Sequence, residues 1–495
     1  MKGGKVLDSG SYGCIFRPPL LCEDQTERQK GYVTKLMLRK EAKAEYEEIQ
    51  KFLQYIKSIP NYQKYFIIDG ISRCKPTNIT VADLEDFNKK CKALTNQRIT
   101  AALVKDAIAR GKVSALQIPD GGSSVLDYLE TPDITGLDVI NVNNALIDLI
   151  QYGIRPMNIR GVIHADVKAG NIVYNSETKD AKLIDWGLSV IANPPVSSRG
   201  NPKTYVTILN LPLMVNQPVT NLFFYKNFPL QAKYKEFLYS YRKEISRILQ
   251  NNSREDIQII LIDNIQEYLY IKVFKSDTNI KEFFKDNMLG HYSYIADVYF
   301  NRSTEQFRRN IAKQIAGALF AYSYDSSQNR LNEFNTGLYF QEVFKMNADI
   351  YGALSCLRHL VHARRGKIRH GELKKAVKEF EDKYMFSEKC VMQPYNVPEL
   401  VTSLRNLNQF MVASWQFNSL SAAPASAAAP ARVDSSNYLK PPRFSPLKTP
   451  PPSNAARVAS TLRKGLRRMI NLGGKTRRKP HNKKRRRKSK TRKRR

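Results

Sequence analysis

Two short polar motifs, separated by an apolar run, constrain this 495-residue chain more than any other feature. The first reads His-Ala-Asp-Val-Lys-Ala-Gly-Asn over residues 164–171, and the second reads Asp-Trp-Gly over residues 185–187. The intervening run from Ala181 to Ile184 is typical of a buried strand. The spacing predicts two loops whose carboxylate and amide side chains meet at one site.

The side chains of these loops match the requirements of phosphoryl transfer. Asp166 can orient an attacking hydroxyl and accept its proton, Lys168 places a cation beside the travelling group, and Asn171 offers an amide oxygen to a metal ion. Asp185, between a strand and a glycine turn, supplies the second metal-binding side chain. We therefore predict Asp166 and Lys168 as catalytic residues, and Asn171 and Asp185 as ligands of Mg²⁺ or Mn²⁺.

A glycine turn near the N-terminus resembles the hairpin that covers the phosphates of ATP. Gly10 and Gly13, with Ser11 between them, let the main chain approach phosphates because they have no Cβ atom. The pattern is incomplete, since Asp8 stands where a further glycine is expected. Taken alone, such a turn is more often an ordinary hairpin; together with the two downstream motifs it indicates a nucleotide site.

A lysine in the strand that follows completes the predicted phosphate site. Lys35 lies in the run Tyr32 to Met37, at the expected distance from the glycine turn, and we expect it to reach the α and β phosphates of ATP. The acidic helix predicted from Arg39 to Ile56 offers Glu45 as its ion-pair partner, because an apolar stripe at helical spacing lies beside that residue. Glu48 is the alternative partner.

These residues resemble the eukaryotic-type serine/threonine protein kinases, and more narrowly the divergent kinases of large nucleocytoplasmic DNA viruses. Lys168 favours serine and threonine over tyrosine as acceptors. The narrower resemblance rests on the runs 59–66, 116–122 and 349–352. It implies ATP as the nucleotide, protein substrates, an apolar Ile15 covering the adenine, and a structural role for His164.

The chain departs from that family's pattern at three places. Ala165 replaces the arginine that precedes the catalytic aspartate, so activity is not expected to require a phosphorylated loop. Trp186 replaces a phenylalanine and is expected to fill the same apolar slot. Asn210-Leu211-Pro212 stands where the family has Ala-Pro-Glu.

The resemblance implies an α+β, two-lobed kinase-like fold. We predict a small β-rich N-lobe over residues 1–117 and a large helical C-lobe over 118–415. Because Asp349 comes far after Asp185, an insertion of about 215–344 is expected in the C-lobe. A packing role for this insertion is favoured over a docking surface.

The C-terminal residues differ in composition from everything before them. Residues 419–460 are rich in Ala, Pro and Ser and are predicted to be a linker. Residues 457–495 hold 20 Lys and Arg and no Asp or Glu, within a chain of net charge +35. The tail 461–495 is therefore predicted to be a disordered polycation. Its expected partners are nucleic acids, with nuclear import or an acidic surface as alternatives.

The six cysteines form neither a Cys-x-x-Cys motif nor a zinc-finger pattern with histidine. With no signal peptide or long apolar span, the sequence predicts an intracellular protein with free thiols, in the host cytoplasm, the virion or the nucleus.

Two other functions compete with a protein kinase. The same motifs also occur in small-molecule phosphotransferases, although Lys168 and the glycine turn favour the protein kinase. A catalytically silent scaffold that binds nucleic acid through the tail is the second alternative.

Overall fold

The computed structural model describes residues 5–9, 13–192, 216–224, 230–275, 304–361 and 371–421. Gly10, Ser11, the Asn210-Leu211-Pro212 segment and the tail 461–495 lie outside these residues. So does nearly all of the predicted linker, although the last helix continues to Ser421. The described residues form an α+β structure with an N-terminal sheet followed by many helices.

The N-terminal part, residues 5–119, is built on a five-stranded antiparallel sheet with the strand order β1-β2-β4-β7-β5. The strands that flank the predicted glycine turn are present as β1 and β2, and the Lys35 strand is present as β4. The strands of this part are β1 Lys5–Ser9, β2 Gly13–Arg17, β3 Leu21–Cys22, β4 Tyr32–Leu38, β5 Ser72–Cys74, β6 Pro76–Thr77 and β7 Val113–Pro119.

Each face of the sheet is covered by a different set of helices. Helix α1, Arg39–Ile56, has the predicted bounds and packs Ile49, Phe52 and Ile56 into the larger core. The opposite face packs against three short helices, α2 Phe87–Lys90, α3 Lys92–Thr95 and α4 Val104–Ala109, through a separate cluster that includes Phe16 and Phe87. Helices thus pack against both faces of the sheet, as the two-residue period of its side chains allows.

Two disulfide bonds join strands of this sheet to neighbouring segments, so the prediction of free thiols is wrong for four of the six cysteines. Cys14 in β2 is bonded to Cys91, and Cys22 in β3 is bonded to Cys74 in β5. The spacing of the cysteines in the sequence does not predict these bonds, because the partners are 77 and 52 residues apart and meet only in the folded chain. Cys356 and Cys390 are free, and burial raises the pKa of both thiols to about 12.

The two sequence motifs lie in loops between short strands that form two further sheets, one of three strands and one of two. These strands are β8 Ser123–Ser124, β9 Val162–Ile163, β10 Ile172–Asn175, β11 Asp180–Leu183 and β12 Val190–Ile191. The loop with Asp166 joins β9 to β10, and β10 pairs antiparallel with β11, which leads to Asp185. Strand β12 then pairs with β9, so the two loops lie side by side.

Helices supply most of the rest. They are α5 Val125–Leu129, α6 Gly136–Asp148, α7 Arg155–Ile159, α8 Leu230–Ser240, α9 Arg242–Asn251, α10 Arg254–Leu269, α11 Thr304–Ala321, α12 Thr336–Tyr339, α13 Lys345–Ser355, α14 Leu357–Val361, α15 Gly371–Tyr384, α16 Lys389–Met392 and α17 Val397–Ser421. A two-stranded hairpin, β13 Tyr324–Asp325 and β14 Arg330–Leu331, follows α11. Among the residues described, none of the helices combines the length and the apolar character that crossing a membrane requires.

Candidate active site

The carboxylate of Asp166 lies at the centre of a set of nitrogen donors. Its Oδ2 atom accepts hydrogen bonds from Lys168 Nζ at 2.7 Å and from Asn171 Nδ2 at 2.8 Å. Its Oδ1 atom accepts a bond from Asn216 Nδ2 at 3.1 Å. Asp166 is 6% exposed, so these bonds form largely out of water. The structure therefore brings the predicted residues Asp166, Lys168 and Asn171 together and adds Asn216.

The loop that carries Asp166 is held in place by a buried aspartate, Asp349. Asp349 accepts hydrogen bonds from the main-chain nitrogens of His164 and Ala165, at 2.8 and 2.9 Å, and from Asn158 Nδ2 at 2.7 Å. Burial raises the pKa of the Asp349 carboxyl, and these donors oppose the rise. Ala165 has φ 65°, a left-handed conformation that costs about 1–2 kcal/mol for a residue with a Cβ atom. Asp349 therefore stabilises a strained turn directly before Asp166.

Helix α13 approaches this loop closely because it has a glycine at the contact. A Cβ atom on Gly352 would lie 2.4 Å from the carbonyl oxygen of Val167 and 2.9 Å from its Cβ atom. Asp349 and Gly352 are one helical turn apart, so the same face of α13 supplies the hydrogen bonds and permits the contact. The resemblance noted for residues 349–352 thus falls on residues that support the loop.

A chain of aromatic rings connects the Asp166 loop to helix α1. The His164 ring lies 5.0 Å from the Trp186 ring, and Trp186 stacks on Phe52 of α1 at 6.0 Å. Trp186 is 2% exposed and donates its Nε1 proton to the carbonyl oxygen of Ile67 at 3.0 Å. The ring nitrogen Nε2 of His164 lies 3.0 Å from the carbonyl oxygen of Ile184, and burial lowers the pKa of this imidazole. His164 and Trp186 are therefore packing residues of the site.

Asp185 follows β11 in a left-handed conformation, with φ 65°. The residue before it, Ile184, donates its main-chain proton to the carbonyl oxygen of Asn171 at 3.0 Å. This bond places the main chains of the two predicted metal-binding residues next to each other. Both Nδ2 bonds of Asn171 go to Asp166, to its carbonyl oxygen and to its carboxylate, which turns the amide oxygen away from that residue.

The side-chain oxygens of Asp185 and Asn171 are suited to bind Mg²⁺ in the way that nucleotide-binding enzymes do. Within the described parts of the chain, no three His, Cys, Asp or Glu side chains gather into a cluster that could hold a metal ion by itself. Mg²⁺ is usually held by one or two protein oxygens together with substrate phosphates and water. Asp185 and Asn171 provide an oxygen each, which matches that arrangement and not an all-protein metal cage.

Lys35 and Glu45 form a short, partly buried ion pair between β4 and α1. Lys35 Nζ lies 2.7 and 2.8 Å from the two carboxylate oxygens of Glu45, and the side chains are 12% and 14% exposed. Burial raises the pKa of the Glu45 carboxyl, and the Lys35 ammonium opposes this shift. The pair fixes the position of the lysine ammonium between β4 and α1.

The hairpin itself is packed tightly against the lysine strand. A Cβ atom on Gly13 would lie 3.0 Å from the carbonyl oxygen of Leu36 and 3.1 Å from Cγ of Lys35. Ile15 is the strand partner of Lys35, and Lys35 is in turn the partner of Leu116 in β7. The predicted adenine-covering residue Ile15 is therefore directly opposite the predicted phosphate-binding Lys35 on the neighbouring strand. The other predicted hairpin residues, Gly10 and Ser11, lie outside the described residues.

Sequence reasoning missed the polar residues that come after the Asp185 loop. Asn216 and Gln217 fall at the start of the predicted insertion, yet both donate hydrogen bonds to the Asp166 loop. Neither residue belongs to a motif, and nothing in the sequence around them marks a site. Their role depends on a tertiary contact across about 50 residues of chain.

Comparisons with known proteins give weak likenesses. No protein-family model matches the chain. It is 27% identical over 79 residues to a probable casein kinase II subunit alpha homolog of Encephalitozoon cuniculi, a match that covers 14% of this chain and 24% of that protein. The solved kinase PK-1 of Cydia pomonella granulovirus matches 44% of this chain and 62% of its own at 14% identity, with a TM-score of 0.24, too low for an argument about fold. The chain thus spans less than two thirds of either relative.

The match to the kinase subunit homolog covers only a small part of either chain, so it does not carry that protein's activity over to this one. The site itself contains the residue types that phosphoryl transfer requires, namely the Asp166 carboxylate, the Lys168 cation and the candidate metal ligands Asn171 and Asp185.

Proposed function

We propose that this chain is a protein kinase that transfers the γ-phosphoryl group of ATP to serine and threonine hydroxyls of protein substrates. The observation that carries the proposal is the group of side chains around Asp166. A carboxylate that is held by Lys168 and Asn171, with Asp185 in the adjacent loop, offers the oxygen and cation chemistry that phosphoryl transfer requires.

Each residue has one task in this proposal. Asp166 orients the acceptor hydroxyl and takes its proton, while Lys168 offers positive charge to the transferred group. Lys35, held by Glu45, binds the α and β phosphates. Gly13, with Gly10 and Ser11, covers the phosphates, and Ile15 covers the adenine.

Asn171 and Asp185 would hold Mg²⁺, or Mn²⁺, against the phosphates. When bound, the metal neutralises charge that develops on the phosphate oxygens. The protein's own contribution is to keep the main chains of the two ligand residues next to each other, through the bond between Ile184 and Asn171.

The narrower assignment, to kinases of large nucleocytoplasmic DNA viruses, rests on the residue runs given above. With that assignment we propose the host cytoplasm or the virion as the location, and the nucleus as the alternative that the basic tail offers. For the tail 461–495 we propose nucleic acid as the partner, because a run of cations without acidic residues favours binding to phosphates through counterion release.

The test is transfer of labelled γ-phosphate from ATP and Mg²⁺ to a mixture of casein and a basic protein, followed by phosphoamino-acid analysis. The intact chain is compared with Asp166→Ala, which should still bind ATP. Phosphoserine and phosphothreonine that disappear in the variant support the proposal. Transfer only to small molecules, or ATP binding with no transfer that depends on Asp166, would favour the two alternatives instead.

A further inference from the structure

Three consecutive residues of the Asp166 loop accept hydrogen bonds from a pair of neighbouring amides. Gln217 Nε2 donates to the carbonyl oxygen of Ala165 at 2.8 Å. Asn216 Nδ2 donates to Asp166 Oδ1 at 3.1 Å and to the carbonyl oxygen of Val167 at 2.9 Å. The two amides therefore hold the loop on both sides of Asp166 and also hold its carboxylate.

A third amide supports Gln217. Asn221 Nδ2 donates to Gln217 Oε1 at 2.6 Å, so the Gln217 carboxamide is bonded at both of its ends. Asn216, Gln217 and Asn221 are 4%, 3% and 3% exposed. Buried amides with several bonds have little freedom to rotate, and hydrogen bonds are stronger out of water. We call these three residues the amide ladder.

The arginine that the resemblance leads one to expect before the catalytic aspartate is absent beside the amide ladder. Residue 165 has only a methyl group, so it brings no cation that could bind a phosphate on a neighbouring segment. The opposite side of the loop is fixed by Asp349, which accepts the main-chain protons of His164 and Ala165. Residues 164–167 are thus held from two sides by groups that are present in the unmodified chain.

We propose that Asn216 is a positioning residue, which acts with Gln217 and Asn221 to keep Asp166 in its working orientation without any phosphate on the chain. The inference rests on the proposed function, because that function defines the orientation of Asp166 that matters. In this proposal the amide ladder takes the place of loop phosphorylation in this chain.

The variants that test the proposal differ at one side chain. Asn216→Ala removes both donated bonds. Asn216→Asp keeps the shape but puts a second carboxylate beside Asp166, and Asn216→Ser retains a hydroxyl donor. Asn143→Ala is the matched control, because Asn143 is also fully buried and donates to a main-chain carbonyl, that of Leu404, at 3.1 Å.

We expect Asn216→Ala to lower kcat by about 100-fold, the loss typical of one preorganised donor, and to leave the KM for ATP within about twofold. Asn216→Asp should lose at least as much, Asn216→Ser should recover part of the loss, and Asn143→Ala should keep kcat. Phosphatase treatment of the wild-type enzyme should not lower its activity. Unchanged kcat in Asn216→Ala, equal losses in the Asn143→Ala control, or inactivation by phosphatase would overturn the proposal.

A second measurement does not depend on activity. Hydrogen exchange of a peptide that covers residues 164–168 should be at least tenfold faster in Asn216→Ala than in the wild type, while a peptide over residues 349–355 keeps its protection. If the wild type transfers no phosphoryl group but this difference appears, the proposed function fails and the positioning role stands. Equal exchange in the two proteins would rule out the positioning role by itself.

Discussion

Trp186 donates its indole proton to the carbonyl oxygen of Ile67, a residue that precedes it by 119 positions. This bond connects the loop after Asp185 to the segment between α1 and β5. It also fixes the ring that lies between His164 and Phe52. A phenylalanine at this position would fill part of the slot but would leave the Ile67 oxygen without that donor.

Trp186→Phe should therefore lower the free energy of unfolding by about 1–3 kcal/mol, the range for a buried acceptor that loses its partner. Urea unfolding followed by circular dichroism measures the change. Phe66→Leu, which alters a neighbouring ring contact and leaves the hydrogen bond in place, is the control. Equal stability of Trp186→Phe and the wild type would mean that the bond contributes little.

Lys35→Met should lower kcat/KM for ATP by about 100-fold or more, because a preorganised cation at the phosphates is lost. Glu45→Gln should give a smaller loss, since it leaves the lysine charged but less firmly held. Steady-state kinetics with a peptide acceptor measures both. Lys75→Met is the matched control: Lys75 pairs with Glu23 at 2.6 Å on the exposed surface, where ion pairs contribute about 0–1 kcal/mol. A comparable loss in this control would argue against a specific role for Lys35.

Stability should fall on acidification because of His164. Burial lowers the pKa of this imidazole in the folded protein, and the negative charges of Asp349, Asp166 and Asp185 only partly oppose the shift. Below the unfolded value of about 6.5 the unfolded chain binds a proton that the folded chain does not, so the free energy of unfolding decreases by up to about 1.4 kcal/mol per pH unit until the folded pKa is reached. Above pH 7.5 the effect is absent.

Urea unfolding of the wild type and of His164→Gln at pH 7.5, 6.5 and 5.5 measures this contribution. The variant should show a weaker decrease in stability between pH 6.5 and 5.5. Parallel pH profiles for the two proteins would contradict a buried, neutral His164.

The disulfide between Cys14 and Cys91 should stabilise the protein and the glycine hairpin together. It closes a loop with a sequence separation of 77, for which chain entropy predicts about 4 kcal/mol. Because Cys14 follows Gly13 directly, Cys91→Ser should also weaken ATP binding. Cys74→Ser, which opens the other disulfide, should lower stability without that loss of affinity.

Thermal unfolding and ATP titration by calorimetry give the two readouts. Alkylation of the native protein followed by mass spectrometry tests whether the disulfides are formed. The free thiols of Cys356 and Cys390 should also resist alkylation, because they are buried and their pKa is raised to about 12. Labelling of Cys14 or Cys91 before reduction would show that the bond is not formed.

Removal of residues 457–495 should weaken binding to DNA and flatten its dependence on salt, because 20 cations and no acidic residues are lost. The turnover of a short peptide should stay the same. Fluorescence anisotropy at several salt concentrations measures the first property and a kinase assay the second. An equal loss of both would mean that the tail is part of the catalytic unit.

Local sequence patterns predicted the parts of the site that lie close together in the chain. Asp166, Lys168 and Asn171 fall within one loop, and α1 has the bounds that its acidic and apolar pattern indicates. The pairing of Lys35 with Glu45 followed from helical spacing. These features depend on local geometry, which a sequence encodes directly.

The contacts that sequence reasoning missed all cross large distances in the chain. Asn216 reaches Asp166, Trp186 reaches Ile67, and Cys14 reaches Cys91, each through tertiary packing that no local period reports. The cysteines were misjudged because partners in separate strands and helices leave no spacing signature. Contacts between residues that are far apart in the chain could therefore not be predicted from the sequence.

The helices from residue 230 onward share their apolar interior with the part of the chain that carries the candidate site. Tyr234, Phe237 and Tyr268 are each 1% exposed, within the same cluster that contains Trp186 and Val167. Removing the helices that carry these rings would therefore expose the apolar side chains that now pack against them. A shortened chain would need polar residues at those newly exposed positions.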